Sequence, residues 1–192
     1  MPALLLASSS RYRRELLERL HLPFSSASPD IDESPLSGET AESLVRRLAQ
    51  QKAAALAPSH PDHLIIGSDQ VAVLDGYILG KPGTHERARN QLLAASGRRI
   101  DFLTGLALLN SRSGHCQVDC VRFAVDFREL DEDRIERYLR TEQPYDCAGS
   151  FKAEGLGISL FRRTEGEDAT SLIGLPLIRL VDMLLAEGVQ IP

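Results

Sequence analysis

The chain has 192 residues, 22 Lys+Arg against 27 Asp+Glu, and a formal net charge of −5. With 43% apolar and 26% charged residues and only 10 Pro and 14 Gly, it reads as one or at most two globular domains, which excludes a disordered, collagenous or low-complexity protein. The negative balance weighs against nucleic acid or an anionic membrane as partner, since both demand a surplus of Lys/Arg. The opening MPALLLASSSRYRRELL holds too short an apolar run for a signal peptide or a membrane span, so a cytoplasmic protein is expected.

The run ALLLAS (3–8) predicts a strand, followed by a Ser turn and a helix with Tyr12, Leu16, Leu17 and Leu20 on one face. PFSSASPDIDESPLSGET (23–40) predicts a brief extended stretch and then a loop whose acidic residues cluster at Asp30, Asp32 and Glu33. Residues 39–57 carry near-helical periodicity through Ala41, Leu44, Val45, Leu48, Ala55 and Leu56. HLIIGSDQVAVLDGYILGKPG (63–83) reads as a buried strand, an interruption at Gly67-Ser68-Asp69-Gln70, a second strand, a turn at Asp75-Gly76 and a short return strand. A helix over 85–95 closed by Gly97, two long strands over 100–110 and 118–127 joined by SRSG, and a helix over 131–141 follow. A Gly-rich loop, one more strand and a last helix over 177–187 complete an α/β pattern with a mixed sheet. No repeat or linker is visible, and a single domain over 1–192 is expected.

Cys116, Cys120 and Cys147 form no CxxC, and the five histidines show no HxxxH or HExxH spacing, so neither a disulfide framework nor a His-based metal site is expected. GxSxG, GxxxxGK[ST] and GxGxxG are all absent. Four features remain, each with a plainer alternative. Ser8, Ser9, Ser10, Arg11, Arg13 and Arg14 lie where a helix begins, and free N–H groups with arginines there suit a phosphate, though an N-cap serine with solvated arginines explains the same residues. Asp69 sits among Leu64, Ile65, Ile66, Val71 and Val73, a costly place for a charge without a metal or partner; a strand-end turn is the alternative. Glu33, and less directly Asp32, could add a carboxylate for Mg²⁺ or Mn²⁺, or be solvated charge. Lys52, Lys81 and Lys152 could neutralise phosphates, or be ordinary surface lysines. Together they describe a cationic cradle for a polyphosphate with a carboxylate for metal and water.

LASSSRYRRELL, the DIDE loop, RLAQQKA, IIGSDQV, GKP, TGLAL, SFKAEG and GLPL occur in the order that resembles the Maf-like nucleotide pyrophosphatases, from Leu5 to about Leu185. The resemblance implies an inosine-triphosphatase-like α/β fold, a twisted mixed sheet flanked by helices with a cleft between two lobes, homodimers, and divalent-metal-dependent hydrolysis of nucleoside triphosphates to monophosphate and pyrophosphate. The chain is most similar to the subgroup acting on 7-methyl-GTP, whose selectivity positions correspond to Tyr12, Gln70 and Glu154, with Tyr12 standing where Trp is frequent. The resemblance makes Asp69 the proton acceptor for the attacking water and a metal ligand with Glu33. It also makes Ser8, Arg13, Arg14, Lys52, Lys81 and Lys152 phosphate-binding. It implies a house-cleaning role in removing a modified nucleotide. The alternatives are a dTTP/UTP pyrophosphatase of the same family, against which Gln70 and Glu154 argue, and a non-catalytic septum-associated regulatory protein.

Overall fold

The computed structural model describes residues 2–191. In chain order the elements are β1 (Ala3–Ala7), α1 (Arg11–Glu18), β2 (Phe24–Ala27), α2 (Ala41–Leu56), β3 (His63–Leu74), β4 (Tyr77–Leu79), α3 (His85–Ala95), β5 (Arg99–Asn110), β6 (Cys116–Phe127), α4 (Glu132–Glu142), β7 (Phe161–Glu165), α5 (Ala169–Ile173) and α6 (Leu177–Ala186). The strands form one seven-stranded sheet in the order β2-β1-β3-β5-β6-β7, with β4 paired to β3. β1 runs parallel to both β2 and β3, whereas β4 and β7 lie antiparallel to β3 and β6, so the sheet is mixed as expected.

The predicted elements recur closely, with two departures. The interruption expected at Gly67–Gln70 is absent, and β3 runs unbroken for 12 residues because each polar side chain in it has a partner. Gly67 is there for packing: a Cβ would stand 2.0 Å from the Ala49 carbonyl oxygen of α2. The short helix α5, capped by Asp168, lies between the last predicted strand and the last predicted helix, where the sequence predicts no element. Its five residues are too few to show a periodic apolar stripe.

Residue contacts divide the chain into two compact units, the first made of Met1–Gln70, Thr104–Val121 and Asp168–Pro192, the second of Val71–Leu103 and Arg122–Glu167. In the first, side chains alternate across the strands. Leu4, Leu6, Leu64, Ile66, Leu106 and Leu108 join α1 and α6 through Leu16, Leu17, Leu180 and Leu184. Leu5, Ala7 and Ile65 point the other way, to Ala53 of α2. The second unit is centred on Phe102, Phe127, Phe151 and Phe161, packed edge to face with ring centroids 4.8–5.5 Å apart, the arrangement the ring quadrupoles favour.

Candidate active site

Asp69 and Lys52 are buried charged residues of the first unit that meet each other. α2 approaches β3 and β5 closely because two glycines present no Cβ: Gly67 faces the Ala49 carbonyl, and a Cβ on Gly105 would lie 2.1 Å from the Val45 carbonyl oxygen. That approach carries Lys52, 6% exposed, to the Asp69 carboxylate, 8% exposed, with Nζ 2.7 Å from Oδ1. The same ammonium lies 2.9 Å from Glu33 Oε1, on the loop that precedes α2. A buried carboxylate is thus paired with a cation in direct contact, and a second, more exposed carboxylate converges on that cation.

The Glu33 loop is itself fastened to α2. Arg47 grips Glu39 with two bonds of 2.7 Å and donates to the Ser34 carbonyl at 3.1 Å, while Glu39 accepts the Leu36 N–H at 3.0 Å. The Arg47 guanidinium and that N–H hold the Glu39 carboxyl at about 2. Asp32 turns to the Ser34 N–H at 2.9 Å, so of the two acidic candidates only Glu33 reaches Lys52.

In the serine and arginine cluster the capping task is visible. Ser10 caps α1 by accepting the Arg13 N–H. Ser8, nearly buried, accepts the Ser10 N–H at 3.1 Å and Arg13 Nη1 at 3.4 Å. Arg13 Nε donates to the Gly174 carbonyl at 2.9 Å. Burial pushes the Arg13 guanidinium pKa down, against the opposing pull of Asp69 and Glu33, which places this cation within the field of both carboxylates. Arg14 is exposed and donates to Ser26 Oγ. The Tyr12 ring carries the Arg11 guanidinium 4.7 Å from its centroid, so a cation already stacks on the aromatic face expected to meet a cationic base.

Because side chains alternate along a strand, Gln70 leaves β3 on the face opposite Asp69. Its Nε2 donates to Thr104 Oγ1 and to the Ser171 carbonyl at 2.9 and 2.6 Å. Ser68, on that same face and fully buried, lies 2.9 Å from the Gly105 carbonyl and 3.0 Å from that of Gly174. Gly174 has φ +122°, a conformation that L side chains rarely adopt, and its carbonyl serves both Ser68 and Arg13. Thr104 and Gly174 stand in the sequence only as parts of TGLAL and GLPL, and Ser68 only as part of a polar interruption, because their partners lie 34 to 161 positions away in the chain.

In the second unit, Lys81 is exposed in the loop after β4 and makes no ion pair among the described residues. Lys152 is held within the fold, its Nζ 2.9 Å from the Glu142 carbonyl oxygen and 3.3 Å from Glu142 Oε1. Glu154 is exposed. In the first unit, burial pushes the Cys116 thiol pKa up, and that of Cys120 up to about 11, which disfavours the nucleophilic thiolate.

Among the described residues no three His, Cys, Asp or Glu side chains are grouped as a metal cage. The pair Glu33 and Asp69, converging on one cation, suits Mg²⁺ or Mn²⁺. Mg²⁺ in particular binds through one or two carboxylates and completes its shell with water and substrate phosphates. No helix among the described residues is long and apolar enough to cross a membrane.

The sequence model of the Maf-like protein family matches residues 3–187. The chain is 74% identical over 192 residues to the 7-methyl-GTP pyrophosphatase of Pseudomonas fluorescens (strain Pf0-1) and 73% identical over 192 residues to that of Pseudomonas aeruginosa PAO1, covering 100% of both proteins in each case. A relative of the same name in Alcanivorax borkumensis is 59% identical over 191 residues, 100% of this chain and 97% of that protein. With its mixed sheet and a family match over nearly its whole length, the chain belongs to the Maf-like family.

Proposed function

We propose that the protein hydrolyses 7-methyl-GTP to 7-methyl-GMP and pyrophosphate, removing a modified nucleotide from the pool, and that residues 1–192 act as one catalytic domain. The observation that carries this reading is the Lys52–Asp69–Glu33 arrangement, in a chain similar along its full length to proteins named 7-methyl-GTP pyrophosphatase. Water must add across the α–β anhydride of a polyanion, so the site has to neutralise charge and orient one water. Asp69, 2.7 Å from the Lys52 Nζ, accepts the proton of the attacking water. Arg13, tied to Ser8 and the Gly174 carbonyl, meets the phosphates from a fixed position, with Arg14 and Lys52 adding charge. Glu33 and Asp69 would hold the divalent cation, which supplies further neutralisation of the phosphates. By the family pattern, Tyr12 offers its ring to the methylated, positively charged guanine and Gln70, although it leaves β3 on the face opposite Asp69, reads the base edge. On the family pattern alone, Lys81 and Lys152 take phosphate roles and Glu154 a base-reading role. A homodimer in the cytoplasm belongs to the same reading.

Pyrophosphate release from a panel of 7-methyl-GTP, GTP, dTTP and UTP, with Mg²⁺ or Mn²⁺ and with EDTA, tests the proposal. The highest kcat/KM is expected for 7-methyl-GTP with metal. A preference for dTTP or UTP would transfer the chain to the other branch, and no turnover of any nucleotide would favour a regulatory role.

A further inference from the structure

The hydrogen bonds around Gln70 are one-sided. Its Nε2 lies 2.6 Å from the Ser171 carbonyl oxygen, 2.9 Å from Thr104 Oγ1 and 3.3 Å from the Leu172 carbonyl oxygen. Thr104 is fully buried and spends its one hydroxyl proton on the Ser171 carbonyl at 2.9 Å, so toward Gln70 it acts as acceptor. Turning the amide over would set Oε1 against two carbonyl oxygens and a hydroxyl whose proton is already committed, a contact between acceptors. Both N–H bonds of the amide are therefore directed inward. Oε1 has no partner among the described residues, and since no buried side-chain polar atom there lacks one, it is open to solvent.

We propose that Thr104 is a positioning residue for base selection: through the amide of Gln70 and the Ser171 carbonyl, it fixes Gln70 as a pure acceptor toward the nucleotide. The inference rests on the reading of Gln70 as a base-edge residue. An outward carbonyl matches the guanine edge, where N1–H and the N2 amino group stand side by side as donors. Uracil and thymine offer one N–H flanked by two carbonyls, which would face an acceptor with acceptors. A Gln free to rotate would serve either edge, so the discrimination lies in the restraint, and Thr104 supplies part of it without reaching the ligand.

The test compares kcat/KM for 7-methyl-GTP and UTP in wild type, Thr104→Val, Thr104→Ser, Gln70→Ala and the Gln70→Ala/Thr104→Val double variant. Thr104→Val is expected to lower the 7-methyl-GTP:UTP ratio about tenfold, the scale of one hydrogen bond, mainly through KM for 7-methyl-GTP. Thr104→Ser should restore the ratio, and in the Gln70→Ala background Thr104→Val should add no further loss of selectivity. An unchanged ratio in Thr104→Val beside a reduced one in Gln70→Ala would overturn the positioning role and leave the base-edge reading of Gln70 intact. An unchanged ratio in Gln70→Ala would instead remove that reading, and the positioning role with it. If Thr104→Val does not fold, the wild-type side-chain amide protons of Gln70, assigned by their disappearance in Gln70→Ala, decide the matter by NMR. Slow exchange with solvent supports the locked amide, and exchange at the rate of an exposed glutamine overturns it.

Discussion

Asp69 accepts the Lys52 ammonium at 2.7 Å from a nearly closed environment, so the pair combines a buried base with its own counterion. Asparagine at this position keeps the shape and still accepts from Lys52, while removing the basic oxygen. Asp69→Asn is therefore expected to lower kcat by ~10²-fold or more, in the range of a lost general base, with the fold retained. Pyrophosphate release under saturating nucleotide checks it, and near wild-type turnover would move the base role elsewhere. The sequence already marked Asp69 as anomalous, a carboxylate inside an apolar run. It could not reveal Lys52 as the partner, because 17 positions and a change of element separate the two. Nor could it show that Gln70, one residue on, serves the opposite face of the sheet. That divergence follows from a strand continuing through GSDQ, where the sequence predicts an interruption.

At the scale of elements, the closeness of α2 to the sheet controls how Lys52 meets Asp69. Gly67→Ala would drive a methyl group to 2.0 Å from the Ala49 carbonyl oxygen, a backbone atom with no rotamer to yield. Overpacking of this kind costs roughly 1–3 kcal/mol, or a fall in Tm of several degrees at about 2–4 °C per kcal/mol for a chain of this size. Activity should drop further than stability alone explains, because α2 must move and carries Lys52 with it. Calorimetry paired with kcat measurement separates the two effects, and an unshifted Tm would show that α2 can yield. The acidic loop makes a second case. Its residues announce a loop by their Pro, Ser and Asp content, yet Glu33 is delivered to Lys52 by the Arg47–Glu39 clamp. Glu39→Gln should therefore weaken Mn²⁺ binding by the nucleotide-free protein, measured by titration calorimetry, while the fold survives. Unchanged affinity would free the loop from that role.

At the scale of the molecule, every carboxyl group with a resolved shift among the described residues is displaced downward by a hydrogen-bonded donor or cation: Asp32, Glu39, Asp62, Glu136, Glu165 and Glu187. On acidification the unfolded chain takes up protons first, so these groups contribute stability above the ordinary carboxylate range and lose it as pH falls through their folded values, for Glu39 at about 2. Tm is expected to fall progressively from pH 5 to pH 2, most steeply at the acid end. A Tm flat across that interval would mean these contacts persist, or are matched, in the unfolded chain. With a net charge of −5, the global field does not attract an anionic nucleotide, so the proposed function requires local cations, the role it gives to Arg13 and Lys52. By itself the sequence determined the α/β class, nearly every regular element and the identity of the charged candidates, because periodicity, caps and turn residues act over a few neighbouring positions. Only the tertiary structure decided that Lys52 joins Glu33 and Asp69, that Ser68, Arg13 and Gly174 form one knot, and that Thr104 restrains Gln70. Those bonds close between segments far apart in the chain, and their partners are selected by how closely helix and sheet pack.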